Sequence, residues 1–137
     1  MGKVIIKIKL TNLFDLAAQH RKLSTAKPRE AEVEALVDTG AIGLYLKRSV
    51  IRALGLEKVE TITSQTSNGP ARRVVYEPVR LEVQGRHGNF DVVDVADTVP
   101  NLVGQIPLES LDFVVDSKKR KLIGNPEHGG QQMIEQY

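Results

Sequence analysis

Apolar and polar residues alternate along much of the chain, and this alternation predicts a protein built mainly of β-strands. In residues 3–10 (KVIIKIKL) every second position is apolar, and lysines fill most of the others. Residues 30–37 (EAEVEALV) show the same period, with Glu32 and Glu34 facing outward before an apolar end. A period of two places alternate side chains on opposite faces of a strand. Both segments are therefore predicted strands with one face in the core.

The middle and the end of the chain continue this β pattern. The pair Asn68-Gly69 between two alternating segments predicts a hairpin, because both residue types tolerate positive φ. GRHG at 85–88 predicts a second turn, and Pro78 indicates an edge strand or a bulge. The remaining predicted strands are 44–46, 58–65, 72–85 and 89–97, followed by a short apolar segment at 99–104 and a hairpin over 113–124.

Helical spacing of apolar residues occurs in two short segments. Val50, Ile51 and Leu54 fall on one helical face, and Gly55 is suited to end that helix in the left-handed conformation. We interpret this stripe as core rather than as a docking groove. Residues 105–111 (QIPLESL) predict a second short helix with a proline in its first turn.

Residues 11–29 give no clear period. The stretch 13–23 (LFDLAAQHRKL) has the composition of a helical turn, but STAKP at 24–28 ends it. A proline also keeps the residue before it extended. We therefore predict a loop, with room for a hairpin, between the first two strands.

Length and composition fit a single domain. The chain has 137 residues, of which 41% are hydrophobic and 26% charged, as in ordinary globular proteins. Aromatic residues make up only 4%, so Val, Ile, Leu and Ala must build the core. We place the domain at residues 1–125 and regard 126–137, rich in Gly and Gln, as a polar C-terminal tail.

Charge and residue usage argue against several functional classes. The formal net charge of +2 is too small to indicate nucleic-acid binding, and we interpret the basic run at 118–121 as a solvated hairpin turn. Cysteine is absent, and His20, His87 and His128 are scattered over predicted loops, so we expect no metal and no cofactor. No apolar run suits a signal peptide or a membrane span, so we expect a cytoplasmic protein without membrane contact.

The segment LVDTGA, residues 36–41, ends an apolar strand with an acid that is followed by Thr and Gly. Taken alone, Asp38 fits an ordinary strand-ending turn, in which Asp and Gly are common. A second segment, NLVG at 101–104, places two apolar residues and a glycine just before the second predicted helix. The hairpin at Asn68-Gly69 lies between these two segments along the chain.

These segments resemble the active-site loop and its supporting motif in the retropepsins, the retroviral-type aspartic proteases and their cellular and bacterial relatives. The resemblance extends over residues 4–124 in element order and is sharpest at 32–41 and 101–123. It implies an all-β, closed, barrel-like lobe with one short helix after the active-site loop and one near the C-terminus. It also implies aspartic endopeptidase activity on extended peptides, in which two Asp carboxyls activate a water without a covalent intermediate.

The resemblance assigns roles to the residues of the loop. Asp38 supplies one catalytic carboxyl, and Thr39 reaches across to a second copy of the loop. Gly40, which has no Cβ, lets the backbone turn sharply and point amide groups at the carboxylate, and Ala41 completes the loop.

The resemblance also assigns roles outside the loop. The apolar-apolar-Gly motif that packs beside the loop and supports it corresponds to Leu102, Val103 and Gly104. The flap that closes over an extended peptide corresponds to Ser67, Asn68, Gly69 and Pro70. Candidates for the lining of substrate pockets are Ile42, the flap strands and the segment near Val99.

One Asp-Thr-Gly loop is half of such a site, and the sequence holds no second copy. Asp97-Thr98 is followed by Val, and Asp116-Ser117 is followed by Lys, so neither matches. We therefore expect a symmetric homodimer in which Asp38 meets its twin on the two-fold axis.

Three positions depart from the family pattern. Ile42 stands where Thr or Ser usually follows Asp-Thr-Gly-Ala, Gly43 makes the loop more flexible, and Pro70 removes an amide donor at the flap tip. These departures keep a second interpretation open, a retropepsin-fold homodimer that binds a peptide or partner strand without cleaving it. A third is a purely structural β domain in which Asp38 only ends a strand.

Overall fold

The alternating segments form a mostly β structure, and the computed structural model describes residues 3–130 of it, apart from the side chain of Ser64. Within this range the strands are β1 (Ile5–Asn12), β2 (Glu30–Val37), β3 (Leu44–Lys47), β4 (Lys58–Thr66), β5 (Gly69–Val83), β6 (Arg86–Val95), β7 (Asn101–Val103), β8 (Phe113–Asp116) and β9 (Lys121–Gly124). The helices are α1 (Leu13–His20), α2 (Arg48–Ala53), α3 (Gln105–Ser110) and a 3-10 helix over Pro126–His128.

Six of these strands close into a barrel in the order β1-β2-β7-β3-β6-β5, because β5 pairs back to β1. β4 pairs with β5 outside the ring, and β8 and β9 form a separate two-stranded sheet. Closure satisfies the backbone groups that an open sheet leaves at its edges. The predicted all-β, closed, barrel-like lobe is confirmed.

The barrel interior is filled by the apolar positions of the two-residue period. Val4, Ile6, Ile8 and Leu10 are all buried, as the alternation at the start of the chain predicts. Fully burying one such side chain stabilises the fold by about 1.5–3 kcal/mol. The core also contains buried side chains from β3, β5, β6 and β7: Leu44, Leu46, Val79, Leu81, Val83, Val92 and Val103.

Two of the helices are those that the helical spacing predicts. In α2, Ile51 is buried, and Leu54 at its end is also buried, while Gly55 takes a φ of 65° just beyond. The stripe on α2 is therefore core, as expected. The predicted helix before the C-terminal hairpin is α3, and Pro107 lies in its first turn.

The prediction of a loop over residues 11–29 is wrong for part of this range, because Leu13–His20 forms the helix α1. This helix begins after Asn12, whose side chain accepts a hydrogen bond from the Asp15 amide at 3.0 Å. The Asn12 side chain is buried and also donates to the Leu54 carbonyl at 2.8 Å. A contact between segments that are distant in sequence thus fixes the helix cap, which local periodicity cannot reveal.

The turn predicted at GRHG, residues 85–88, is also wrong. The chain turns at Gln84 and Gly85, which have φ values of 48° and 82°, and Arg86 already pairs with Val83 as part of β6. Two successive residues at positive φ match the twist of antiparallel strands. Gln is not a typical residue for this conformation, so the sequence did not mark it.

The other hairpin predictions are confirmed. β4 and β5 join through a tight turn in which Thr66 pairs with Gly69, although only the glycine, at a φ of 101°, takes the left-handed region. The register between β5 and β6 shifts between Tyr76 and Val79, so Pro78 lies in a bulge. The basic run at 118–121 is exposed at the turn between β8 and β9.

The first residues of the predicted tail pack against the barrel. Nδ1 of His128 lies 2.7 Å from Oδ2 of the buried Asp112, and Arg86 donates to the Gly130 carbonyl. Arg86 also stacks over the Phe113 ring, 4.5 Å from its centroid. Residues 126–130 therefore contact the domain, while 131–137 lie outside the described residues.

Candidate active site

Asp38 stands directly after β2, where β2 runs parallel to β7. Leu36 pairs with Leu102 and Val37 with Val103, and the Asp38 amide donates to the Val103 carbonyl at 3.0 Å. Strands that run parallel and in register reach the same edge of the sheet. The acid and the NLVG segment, distant in sequence, therefore lie side by side.

The turn after Asp38 orients the carboxylate with backbone amides. The Gly40 amide donates to Oδ1 of Asp38 at 2.9 Å, and the Ala41 amide donates to the Asp38 carbonyl at 3.1 Å. A Cβ on Gly40 would lie only 3.2 Å from the same Oδ1. Glycine at this position thus leaves room for the carboxylate that its amide holds, and the Asp38 side chain remains half-exposed.

The start of α3 forms a backbone cradle for the loop that follows Asp38. Three consecutive amides donate to three loop carbonyls: Gly104 to Gly43 at 2.8 Å, Gln105 to Ala41 at 2.8 Å, and Ile106 to Ile42 at 2.9 Å. A Cβ on Gly104 would lie 2.6 Å from the carbonyl oxygens of Ala41 and Gly43. Only glycine allows this approach, since real Cβ atoms do not come so close to backbone oxygens.

Asn101 is a supporting residue that the sequence did not reveal. It is buried at the start of β7, where its side chain accepts from the Lys47 amide at 2.8 Å and donates to the Glu34 carbonyl at 3.0 Å. It therefore connects β2 and β3 across β7. The available signal was a polar residue inside an otherwise apolar segment, and such residues are usually hydrogen-bonded when buried.

Thr39, the residue after Asp38, is exposed. Within residues 3–130 its hydroxyl makes no hydrogen bond. Its role in contacting a second copy of the loop stays a prediction.

A family described as aspartyl protease matches residues 24–117, a range that contains both Asp38 and the NLVG segment. The chain belongs to the aspartyl protease family. No curated protein is similar enough to match it. The resemblance noted from the sequence is therefore confirmed at the level of the family, and the fold agrees with an acid-protease lobe.

In this aspartyl protease lobe, a row of apolar side chains runs across the outer face of the barrel beside Asp38. Register places the members of the row next to one another, one strand after the next: Ile5, Leu36, Leu102, Tyr45, Val93 and Val75. Ile5 is 59% exposed, and most of the others are half-buried. Leu36 precedes Asp38 by only two residues, so the row reaches the end of β2 that leads into the acid. The row therefore forms an apolar floor next to the acid.

The sequence named only part of this floor. Leu102 had been assigned to loop support alone, and Ile5 and Tyr45 were missed, because only strand pairing brings them next to Leu36. Ile42, a predicted pocket residue, is 65% exposed in the loop. Val99 lies in the turn before β7 and is not part of the row.

The predicted flap residues lie at the tip of the β4–β5 hairpin. The tip is held by local hydrogen bonds, from Thr66 Oγ1 to the Gly69 carbonyl at 2.6 Å and from the Asn68 amide to Thr66 Oγ1 at 3.2 Å. Ser67, Asn68 and Pro70 are exposed. The tip thus projects from the barrel with contacts only to its own hairpin among the hydrogen bonds of the described residues.

The two rejected Asp positions have structural roles. The Ser49 amide donates to Oδ1 of Asp97 at 3.0 Å, and this hydrogen bond lowers the pKa of the Asp97 carboxyl. Asp116 accepts from the amides of Lys118 and Lys119 at 3.2 Å each and so shapes the β8–β9 turn. Neither carboxylate adjoins the loop of Asp38 in sequence or pairing.

The histidines do not gather into a site, although their predicted location in loops is wrong. His20 ends α1, His87 lies in β6, and His128 ends the 3-10 helix. Among residues 3–130, no group of three or more acidic or histidine side chains is arranged to hold a metal ion. None of the helices described there has the length and hydropathy needed to span a membrane.

Proposed function

We propose that the protein is an aspartic endopeptidase that forms its catalytic dyad across a homodimer. The observation that supports this most is the Asp38 loop. One carboxylate is oriented by the Gly40 amide at 2.9 Å and set in a backbone cradle, and the chain supplies one such loop. A dyad needs two, so a second molecule contributes the other.

The chemistry follows from two carboxyl groups that share one water. At close range both cannot ionise, so the pair shares one proton. The ionised Asp38 takes a proton from the water, whose oxygen attacks the peptide carbonyl, while the protonated partner polarises that carbonyl. The resulting tetrahedral species collapses as a proton reaches the leaving nitrogen and the C–N bond breaks. We expect this activity to be best in mildly acidic solution.

The dimer explains the exposed threonine of the loop. Thr39 is exposed and its hydroxyl has no hydrogen-bond partner within residues 3–130. In the proposed dimer this hydroxyl bonds to the twin loop and fixes the separation of the two carboxyls. Gly40 and Ala41 hold the turn within each subunit through their amides.

An extended peptide is the substrate that fits the surface beside the acid. The apolar row from Ile5 to Val75 accepts alternate side chains of an extended chain, and the flap tip at 67–70 closes over its backbone. Closure of such hairpins excludes water from the reacting groups and commits the substrate.

The test compares wild type with Asp38→Asn on an unfolded protein substrate, with the mass in solution measured by sedimentation. We expect a dimer that cleaves and a variant whose rate falls by about 10²–10⁴-fold or more, since it lacks the acid-base group. Asp97→Asn is the matched control, because it alters the other Asp-Thr pair and leaves cleavage intact. A monomer at high concentration, or full activity in Asp38→Asn, would contradict the proposal.

A peptide-binding homodimer without cleavage is the second candidate, and the exposed Ile42 favours it. This isoleucine is 65% exposed at the loop position after Ala41, where the family usually has a polar residue. Equal peptide binding by wild type and Asp38→Asn, with no cleavage by either, would establish this candidate instead.

A further inference from the structure

A groove of about 460 Å³ adjoins the loop of Asp38 on the flap side. It begins at Gly43 in the loop and at Ile106 in α3 and passes beneath the flap strands along the outside of β6. Its apolar lining consists of Leu44, Ile62, Val75, Pro78, Phe90, Val93, Ile106 and Pro107. This volume is within the range of about 300–1,000 Å³ that is usual for small binding sites.

The charged groups that line this groove are both acids. Glu60 enters from β4 and Asp91 from β6, and no lysine or arginine lines the groove. Neither carboxylate has an ion-pair or hydrogen-bond partner among residues 3–130. The chain as a whole has 19 Lys and Arg against 17 Asp and Glu. The groove is therefore negatively charged, although the chain as a whole carries a small positive net charge.

Strand register brings the cation Arg73 close to Glu60. This arginine pairs with Ile62, two cross-strand pairs closer to the flap tip than the pair of Glu60 and Val75, so its side chain shares the face of the hairpin that lines the groove. Arg73 is not part of the groove lining and makes no ion pair with Glu60 or Asp91. The groove thus keeps its negative charge.

We propose that this groove receives a lysine or arginine side chain of the bound peptide. The apolar walls contact the methylene stem of that side chain, and the carboxylates of Glu60 and Asp91 pair with its charged end. Such a groove suits lysine and arginine, whose side chains combine an apolar stem with a cationic end. This inference rests on the proposed function only in that the groove adjoins the peptide-binding surface beside Asp38. It adds a charge preference to a cleft whose floor is otherwise apolar.

The test uses a set of peptides that differ at single positions within four residues of the cleaved bond, with Lys, Met or Glu at each. Met matches the lysine stem without its charge. At the one peptide position whose side chain enters the groove, we expect kcat/KM to be higher for Lys than for Met, by about two- to fivefold for each carboxylate engaged. The peptide with Glu at that position should have the lowest kcat/KM. High salt should reduce this preference, because exposed charge pairs are screened.

Glu60→Gln and Asp91→Asn, alone and together, test whether the groove is responsible. The double variant should no longer distinguish the Lys peptide from the Met peptide. Glu32→Gln is the matched control, an exposed acid on β2 that is not part of the groove lining. An absent preference, or one unchanged in the double variant, would overturn the inference.

Binding to Asp38→Asn separates this inference from the proposed function. Fluorescence anisotropy with labelled Lys and Met peptides measures the preference in a protein that need not cleave. If wild type cleaves nothing but Asp38→Asn still binds the Lys peptide more tightly, the proposed enzyme fails and the charge preference stands. If wild type cleaves and neither assay separates Lys from Met, only the charge preference fails.

Discussion

The loop of Asp38 and the tip of the flap are held in opposite ways. The loop is held by hydrogen bonds to two other elements, since the Asp38 amide donates to a carbonyl of β7 and three loop carbonyls accept from the start of α3. The tip at 67–70 is exposed and bonds only within its own hairpin among the described residues. Chemistry needs a carboxylate held in one geometry, whereas substrate entry needs an element that opens at low cost. We therefore expect substitutions that disturb the loop of Asp38 to lower the stability of the protein more than substitutions at the flap tip.

Gly104→Ala is expected to destabilise the loop of Asp38 most strongly. The new Cβ would lie 2.6 Å from two backbone oxygens, so the loop and α3 must separate. We expect a loss of about 2–4 kcal/mol in the free energy of unfolding, measured in urea, together with loss of cleavage.

Gly43→Ala is the matched control for that variant, because a Cβ there meets nothing within 4 Å. Its stability should stay within about 0.5 kcal/mol of wild type. Equal stability losses in the two variants would show that the close approach at Gly104 does not hold the loop.

Asn101→Leu tests the support behind the loop. Removing this side chain leaves the Lys47 amide and the Glu34 carbonyl without their partner at the barrel wall. We expect a loss of about 1–3 kcal/mol in the free energy of unfolding. Asn68→Leu at the exposed flap tip is the control and should cost far less. An unchanged melting temperature for Asn101→Leu would contradict the bridging role.

Gly69→Ala tests the flap. This glycine has a φ of 101°, which an alanine adopts only with strain, yet no atom lies within 4 Å of the new Cβ. We expect about 1–2 kcal/mol of strain, confined to the hairpin, with KM raised more than global stability is lowered. Asn68→Ala, at a position without positive φ, should leave KM unchanged. A global loss as large as that of Gly104→Ala would remove the contrast between the two regions.

The smallest effect is expected far from both regions, at the pair of Asp15 and Arg29. Hydrogen bonds from the Arg29 guanidinium, at 2.7 and 2.9 Å, lower the pKa of the Asp15 carboxyl. Because the folded-state pKa lies below the unfolded value of about 3.9, the pair stabilises the fold above about pH 4. This contribution disappears as the pH falls through the lowered pKa.

Urea unfolding of wild type and Asp15→Asn between pH 3 and 6 measures that contribution. The wild-type advantage should be small near pH 6, since Arg29 is more than half exposed and solvent screens the pair, and should shrink toward pH 3. An advantage that grows as the pH falls would contradict the assignment.

The sequence was sufficient where local periodicity decides the structure. Alternation located β2, and the spacing of Ile51 and Leu54 located α2, because in both cases the pattern records which face is buried. The sequence was insufficient where a contact between distant segments determines the local structure. The cap at Asn12 depends on the Leu54 carbonyl, and the turn at Gln84 depends on the register of two strands.

The candidate site shows the same division. Asp38 and Gly104 could be assigned from the sequence, because the segments LVDTGA and NLVG that contain them resemble motifs of a known family. The apolar floor through Leu36 and Tyr45, and the bridge at Asn101, appear only when strand pairing is known. Residues that act through neighbours on other strands leave no local pattern in the chain.

Mixing wild type with Asp38→Asn tests the shared dyad most directly. Subunits are mixed at fixed total concentration, allowed to exchange, and assayed for cleavage of one peptide. If each active site needs Asp38 from both molecules, activity follows the square of the wild-type fraction, so an equal mixture retains about a quarter of full activity. Activity that falls in proportion to the wild-type fraction, to about a half, would contradict a dyad formed across two chains.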